Sequence, residues 1–299
     1  TPFMKNKSSN PLDKLRLKVG GVPEHFNLPW RLAIEEGLFR EQNIMLHWSD
    51  MSGGTGQMIK GLETGSIDVA VVLTEGITKA ILQGLDASIL RVYVSSPLCW
   101  GIHVPFHSNI KNIQDLESKQ FAISREASGS HLMAYVLGAQ NGWDLKEMRF
   151  QVVGDIYGGL WALENNEAQA FLWEKYTTNP YVEQKKCRRI NEIVTPWSSF
   201  VIAARNDVIK DALPALNKIC DLVSSRAEAL KKSKRSAEII SWRYNIDLYQ
   251  VKQWLRQTEW NNSEAKGLEA QHREVVAYLL NLELISENEA KDWKEKLFT

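Results

Sequence analysis

Hydrophobic periodicity in this chain switches repeatedly between the strand repeat and the helix repeat, and that switching constrains the fold more than any other feature. Leu15-Arg-Leu-Lys-Val19 alternates apolar and polar residues, as a half-buried strand does. Leu28 to Gln42 sets Leu32, Ile34, Leu38 and Phe39 largely on one side, which predicts an amphipathic helix, and Ile44–Trp48 predicts the next strand. Thr55–Thr64 is predicted helical, with Gly65 placed for the left-handed C-cap. Val69-Ala-Val-Val-Leu73 is a continuous apolar run suited to a parallel strand buried on both faces. A helix over Ile77–Gln83 and a strand over Ser88–Tyr93 follow. The same grammar resumes with strand Phe121–Ser124, helix Ser130–Asn141, strand Phe150–Val153, helix Tyr157–Asn165 and strand Ala170–Leu172. Beyond Asp207 the periodicity is helical, over Ala212–Lys232, Ala237–Trp242, Leu248–Trp260, Glu264–Leu282 and Glu287–Phe298.

The two halves also align with each other. Met51-Ser-Gly-Gly-Thr-Gly and Val152-Val-Gly-Asp-Ile-Tyr match without gaps at an offset of 101 residues. In that register Gly65 meets Asn166, the two residue types that best tolerate a left-handed helix cap. Val69-Ala-Val-Val then meets Ala170-Phe-Leu-Trp. The expectation is an α/β protein of two similar lobes, each a mostly parallel sheet flanked by helices, with a helical C-terminal tail.

Composition bounds what such a chain can do. Its 299 residues carry 36 Lys+Arg against 36 Asp+Glu, a balance that argues against nucleic acid as a partner. No apolar run is long enough to span a membrane. Cys99, Cys187 and Cys220 do not make a disulfide scaffold, and no Cys-x-x-Cys pair is present. Thr1–Asn10 lacks the apolar centre of a secretory signal, which leaves two expectations: a signal removed from a periplasmic protein, which we prefer, or a cytoplasmic protein starting at Met4. Eleven tryptophans are the one abnormal count.

Paired α/β lobes place ligands where strand ends and helix N-termini face a crevice. Four loops qualify: Val22–Pro29, Ser52–Gln57, Arg125–His131 and Gly154–Gly159, with Thr74-Glu75 and Trp173-Glu174 at strand ends beside them. Glycines 53, 54, 56, 129, 158 and 159 allow close backbone approach there, although Thr55, Ser128 and Ser130 also serve as ordinary helix caps.

Three stretches carry a resemblance: Leu17-Lys-Val-Gly-Gly-Val-Pro-Glu-His, Ala33-Ile-Glu-Glu-Gly-Leu-Phe-Arg-Glu-Gln-Asn-Ile44 and Gly61-Leu-Glu-Thr-Gly-Ser-Ile-Asp-Val-Ala70. With Asn112-Ile-Gln-Asp-Leu-Glu-Ser-Lys119 ahead of Phe121–Ser124, the pattern resembles the type II periplasmic solute-binding proteins of ABC transporters. Within them it is similar to the branch of sulfonate, taurine and nitrate binders and thiamine-pyrimidine synthase-like proteins. The resemblance covers about Leu15 to Ala204. It implies residues 12–98 as the first part of lobe 1, 99–198 as lobe 2 with crossing segments at both ends, and 199–299 as a return to lobe 1 plus the tail. The crossings are expected near Cys99–His103 and Val194–Val201. It also implies a monomer that closes on a small molecule and docks on an ABC permease.

One departure matters. The synthases carry an iron-binding cysteine cluster and a self-consumed histidine, whereas Gly76–Gln83 has no histidine and Ile190–Trp197 no cysteine. No Gly-x-Ser-x-Gly, Walker or His-Glu-x-x-His pattern is present either. The expectation is therefore a non-enzyme with no catalytic residue, no metal and no cofactor. His25 and His131 are placed in the cleft as hydrogen-bonding groups. Glu24, His25, Phe26, Thr55, Gly56, Thr74 and Glu75 are the candidate ligand contacts from lobe 1. Trp100, Ser128, Gly129, Ser130, His131, Tyr157, Trp173, Glu174, Tyr176 and Trp197 come from the crossings and lobe 2. Aromatic faces beside carboxylates suit a planar, nitrogen-containing ligand. Arg125 is the one cation placed for a sulfonate or nitrate. Trp48 and Trp161 are expected in the core. The alternative function is a cytoplasmic thiamine-pyrimidine synthase-like enzyme or a ligand sensor on the same fold.

Overall fold

A computed structural model describes residues 14–126, 128–261 and 269–298. The start at Met4, the lobe boundary at residue 12, the interior of the loop at residue 127 and the beginning of the helix expected from Glu264 lie outside the described residues.

Two five-stranded sheets of matching topology form the molecule. The first half runs β1 (Leu15–Gly21), α1 (Leu28–Glu35), α2 (Leu38–Glu41), β2 (Ile44–Asp50), α3 (Thr55–Thr64), β3 (Val69–Leu73), α4 (Thr74–Leu82) and β4 (Ala87–Val94). The second runs β5 (Cys99–Pro105), β6 (Gln120–Ile123), α5 (Gly129–Gln140), β7 (Arg149–Val152), α6 (Ile156–Glu164), β8 (Ala170–Glu174), α7 (Lys175–Glu183) and β9 (Cys187–Val194). Then come β10 (Phe200–Arg205), α8 (Asn206–Lys232), α9 (Ser236–Tyr244), α10 (Leu248–Gln257), α11 (Glu269–Asn281), α12 (Glu287–Ala290) and α13 (Trp293–Leu297).

The sheet orders are β2-β1-β3-β10-β4 and β7-β6-β8-β5-β9. In each, four strands point the same way, while β10 in one and β5 in the other run antiparallel to both neighbours. Each sheet therefore receives a strand that enters straight from the other lobe. The connections are residues 95–98 and 195–199, two short segments side by side, the arrangement of a hinge.

The cores follow the sequence pattern. Val69, Ala70, Val71 and Val72 are at most 1% exposed, and so is Trp30 of α1 behind the first sheet. Gly37 adopts φ +77° and splits the expected Leu28–Gln42 helix into α1 and α2. The C-terminal pattern expected as one helix over Glu287–Phe298 is likewise broken at Asp292, which sits at φ +53°. Gly65 (φ +72°) and Asn166 (φ +57°) end α3 and α6 in the left-handed conformation that the repeat requires. The tail packs on the first lobe, α8 against α1, β4 and β10, and α11 and α13 against α4.

Candidate functional site

A cleft enclosing about 720 Å³, its mouth included, opens between the two sheets. Lobe 1 supplies Val22 and Glu24 after β1, Ser52–Thr55 at the start of α3, Met58, Leu73 and Phe200. Lobe 2 supplies Trp100, Ser124, Arg125, Ser128–Ser130, Gly154, Asp155, Trp173 and Glu174, and Leu98 lies at the hinge.

The start of α5 is tied tightly. Ser130 Oγ accepts from the Ser124 N–H at 2.9 Å, and Ser128 Oγ accepts from the His131 N–H at 3.3 Å. The two hydroxyls also meet at 3.0 Å, so both brace the loop that they cap. Gly129 lets Trp100 lie against this helix start, since a Cβ there would come within 2.8 Å of the indole. The Trp100 Nε1–H donates to Thr195 Oγ1 of the other hinge strand at 3.1 Å. From lobe 2 Arg125 reaches lobe 1, where a Cβ on Gly56 would stand 2.7 Å from its Nε. Among the described residues its guanidinium has no ion-pair or hydrogen-bond partner.

The acidic side is built differently. Glu174 caps α7, with Oε2 accepting from the Thr177 N–H and hydroxyl at 2.7 Å each. No donor meets the half-buried Glu24 carboxylate among the described residues. Burial, reinforced by the Glu174 charge, pushes the Glu24 pKa up to about 8. Glu174 is itself raised by burial, against the hydrogen bonds from Thr177 and the charge of Arg189. The cleft thus sets an unpaired guanidinium and two carboxyls of raised proton affinity around two indoles.

Of the sequence-derived candidates, Glu24, Thr55, Trp100, Ser128, Gly129, Ser130, Trp173 and Glu174 line this cleft. Gly56 lies at its edge beneath Arg125. The others sit elsewhere. Thr74 and Glu75 are not a free strand end, because α4 begins at Thr74 without an intervening loop. They brace the second connection: Thr74 Oγ1 donates to the Ser198 carbonyl at 2.6 Å, and Glu75 Oε2 accepts from Trp197 Nε1 at 2.8 Å. Burial raises the Glu75 pKa to about 7. Trp197 is therefore a hinge brace, packed edge-on against Tyr278.

The two histidines do not converge. His131 packs against Tyr135 and Phe150. His25, Phe26 and Tyr176 line a separate cavity behind the cleft. Tyr157 is 67% exposed and does not line the cleft, and Trp161, expected in the core, is 54% exposed. Trp48 is half-buried against Trp30. Gly158 and Gly159 are needed for packing of α6, where a Cβ would strike the Val153 carbonyl or the Phe171 ring. Most of the eleven tryptophans thus pack lobes and tail, and two face the cleft.

The cleft residues outside the candidate set, such as Ser52, Gly53, Gly54, Gly154 and Asp155, belong to loops that the sequence does mark. Met58, Leu98 and Phe200 carry no signal beyond being apolar. The three thiols are free, and burial pushes Cys187 up to about 11 despite its basic neighbours. Among the described residues no cluster of His, Cys, Asp or Glu is arranged to hold a metal, and no helix is long and apolar enough to cross a membrane.

Comparison with known proteins agrees with this architecture. Residues 100–193 match the profile of a family described as Ca3427-like PBP. A Candida albicans protein, the CA3427 gene product, described as having the generic periplasmic binding protein fold, superimposes with a TM-score of 0.86 at 24% identity, covering 95% of this chain and 96% of its own. This chain has the type II periplasmic-binding-protein fold. The alkanesulfonate-binding protein SsuA of Xanthomonas axonopodis pv. citri, bound to MOPS, gives a TM-score of 0.77 at 16% identity, covering 94% and 96%. The periplasmic nitrate-binding protein NrtA of Synechocystis PCC 6803 gives 0.73 at 13%, covering 96% and 86%. No curated sequence matches the chain. An aliphatic sulphonate-binding SsuA of Escherichia coli also shares the fold, with a TM-score of 0.70 at 16% identity, covering 95% and 92%.

Proposed function

We propose that the chain is a non-catalytic solute-binding protein whose lobes close on a small, planar, nitrogen-containing molecule. The observation that carries this reading is Glu24, a carboxyl group with no donor of its own, set beside Glu174 in a cleft walled by Trp100 and Trp173. A protonated or amidine-like nitrogen supplies the donors that Glu24 lacks and a positive charge that favours the ionised form of both carboxyls, and the indoles stack on its ring. The unpartnered Arg125 further supports an acidic substituent at the opposite end of the ligand. We place the protein as the substrate-binding component of an ABC uptake system, delivering its ligand to a permease on the outer face of the membrane, as a monomer and without a cofactor. Proteins of similar fold include a periplasmic nitrate-binding protein and the ligand-binding component of an ABC-type import system from Staphylococcus aureus, and this supports the transport role.

A thermal-shift screen tests the ligand class. Planar nitrogen heterocycles are expected to raise the melting temperature, and that shift should vanish in Trp173→Ala. If sulfonates or nitrate alone shift it, the ligand class is wrong. A second reading, acid–base chemistry on the bound molecule, is favoured by the same raised carboxylates. Mass spectrometry showing the molecule unchanged after long incubation would count against it.

A further inference from the structure

Behind the cleft lies a second cavity of about 470 Å³, its mouth included. His25 and Phe26 wall it from lobe 1, Cys99 and Tyr176 from the second sheet and α7, and Trp254 from α10. Glu24, Glu174, Leu98 and Phe200 line both cavities, so the carboxylate pair stands at the junction between them.

Two polar groups here lack partners, and they are chemically different. One is the Glu24 carboxylate at the junction. The other is Nε2 of His25, which is buried without a hydrogen-bond partner in a side chain only 4% exposed. Burial pushes the His25 pKa down to about 3, so the ring is neutral and offers one donor and one acceptor nitrogen. Its plane meets Trp254 edge-on at 4.3 Å between centroids. Tyr176 completes the wall, its hydroxyl donating to Gln257 at 2.9 Å. Native interiors rarely strand buried polar atoms, and an aromatic chamber with an unpaired imidazole nitrogen has the composition of a subsite.

We propose that the ligand runs from the front cleft past Glu24 and Glu174 into this rear cavity, seating a cationic nitrogen between the carboxylates and an aromatic, polar-tipped part against His25, Tyr176 and Trp254. The ligand class is then a two-part organic cation, larger than a single heterocycle. This rests on reading the interlobe cleft as the ligand site.

Calorimetric titration with three probes separates the two ideas. These are benzamidine (a planar cation), benzamide (its neutral isostere) and N-benzylbenzamidine, which adds a second ring. Benzamidine is expected to bind about tenfold or more tightly than benzamide, and N-benzylbenzamidine about tenfold tighter again. In Cys99→Phe, which places a ring at the wall of the rear cavity, benzamidine should keep its affinity and the second ring should lose its gain. In the native protein the second ring of N-benzylbenzamidine should also show nuclear Overhauser contacts to Trp254 or Tyr176, and benzamidine should show none. A second ring that adds no affinity, or a gain that survives Cys99→Phe with no such contact, overturns the rear subsite and leaves the cleft reading standing. Equal binding of benzamidine and benzamide removes the cation from the proposal. If neither cation binds at millimolar concentration, the cleft reading fails with it.

Discussion

Glu24 shows how much of a site one residue position can reveal and where that ends. Its place on the loop after β1 marks it for the crevice from sequence alone, because strand ends face the cleft in lobes of this kind. What it does there depends on neighbours more than a hundred residues away, Glu174 above all, and no local pattern encodes them. The consequence is a pH dependence of stability. Glu24 and Glu75 have folded values of about 8 and 7 against an ordinary 4.5, so the folded state holds protons that the unfolded chain releases. Their contribution is complete below pH 4.5 and is lost as pH rises through those folded values. His25 acts in the opposite sense: its contribution is present above 6.5 and is lost as pH falls towards 3. Between pH 6.5 and 8 the carboxylates alone among these three titrate, so denaturant-measured stability should decline over that range. Glu24→Gln should flatten the decline; an unchanged slope would show that Glu24 is ionised in the fold. At the hinge, Trp197→Phe removes the donor to buried Glu75 and is expected to cost about 1–3 kcal/mol, measured the same way. No loss would mean that this hydrogen bond does not brace the connection.

At the level of elements, the offset of 101 residues holds from α3 to α7: Thr55 answers to Ile156, Val69 to Ala170 and Thr74 to Lys175, each pair opening corresponding helices or strands. That register was legible because its punctuation is steric. A left-handed cap admits glycine or asparagine, and those residues stand at 65 and 166. Gly65→Ala should therefore destabilise the protein by about 1–2 kcal/mol through the backbone alone, with more from the clash against Arg205. A neutral substitution would contradict the cap. Less was legible where no side chain announces a boundary. Leu73 precedes α4 with no capping side chain, so Thr74 and Glu75 look like a free strand end in the sequence and are the first turn of a helix. Pro180 hides α7 by sitting inside it. The inserted strands β5 and β10 look like linkers until their antiparallel partners are known.

For the whole molecule, two sheets exchange one strand each through neighbouring connections, which leaves the lobes able to hinge about residues 95–98 and 195–199. The cleft was legible as a set of loops. The rear cavity was not, because lobe 1, the hinge, lobe 2 and α10 each supply part of its wall. Ligand at about 100 times its Kd should add roughly 2.7 kcal/mol to the unfolding free energy, a stabilisation read directly from the melting curve. The central claim is that this cleft takes a small nitrogen-containing molecule, and native mass spectrometry of the purified protein tests it most directly. A bound nitrogenous organic molecule that is lost from Glu24→Gln and Trp173→Ala is the predicted result. A sulfonate or inorganic anion in its place, or a molecule retained by both variants, would contradict it.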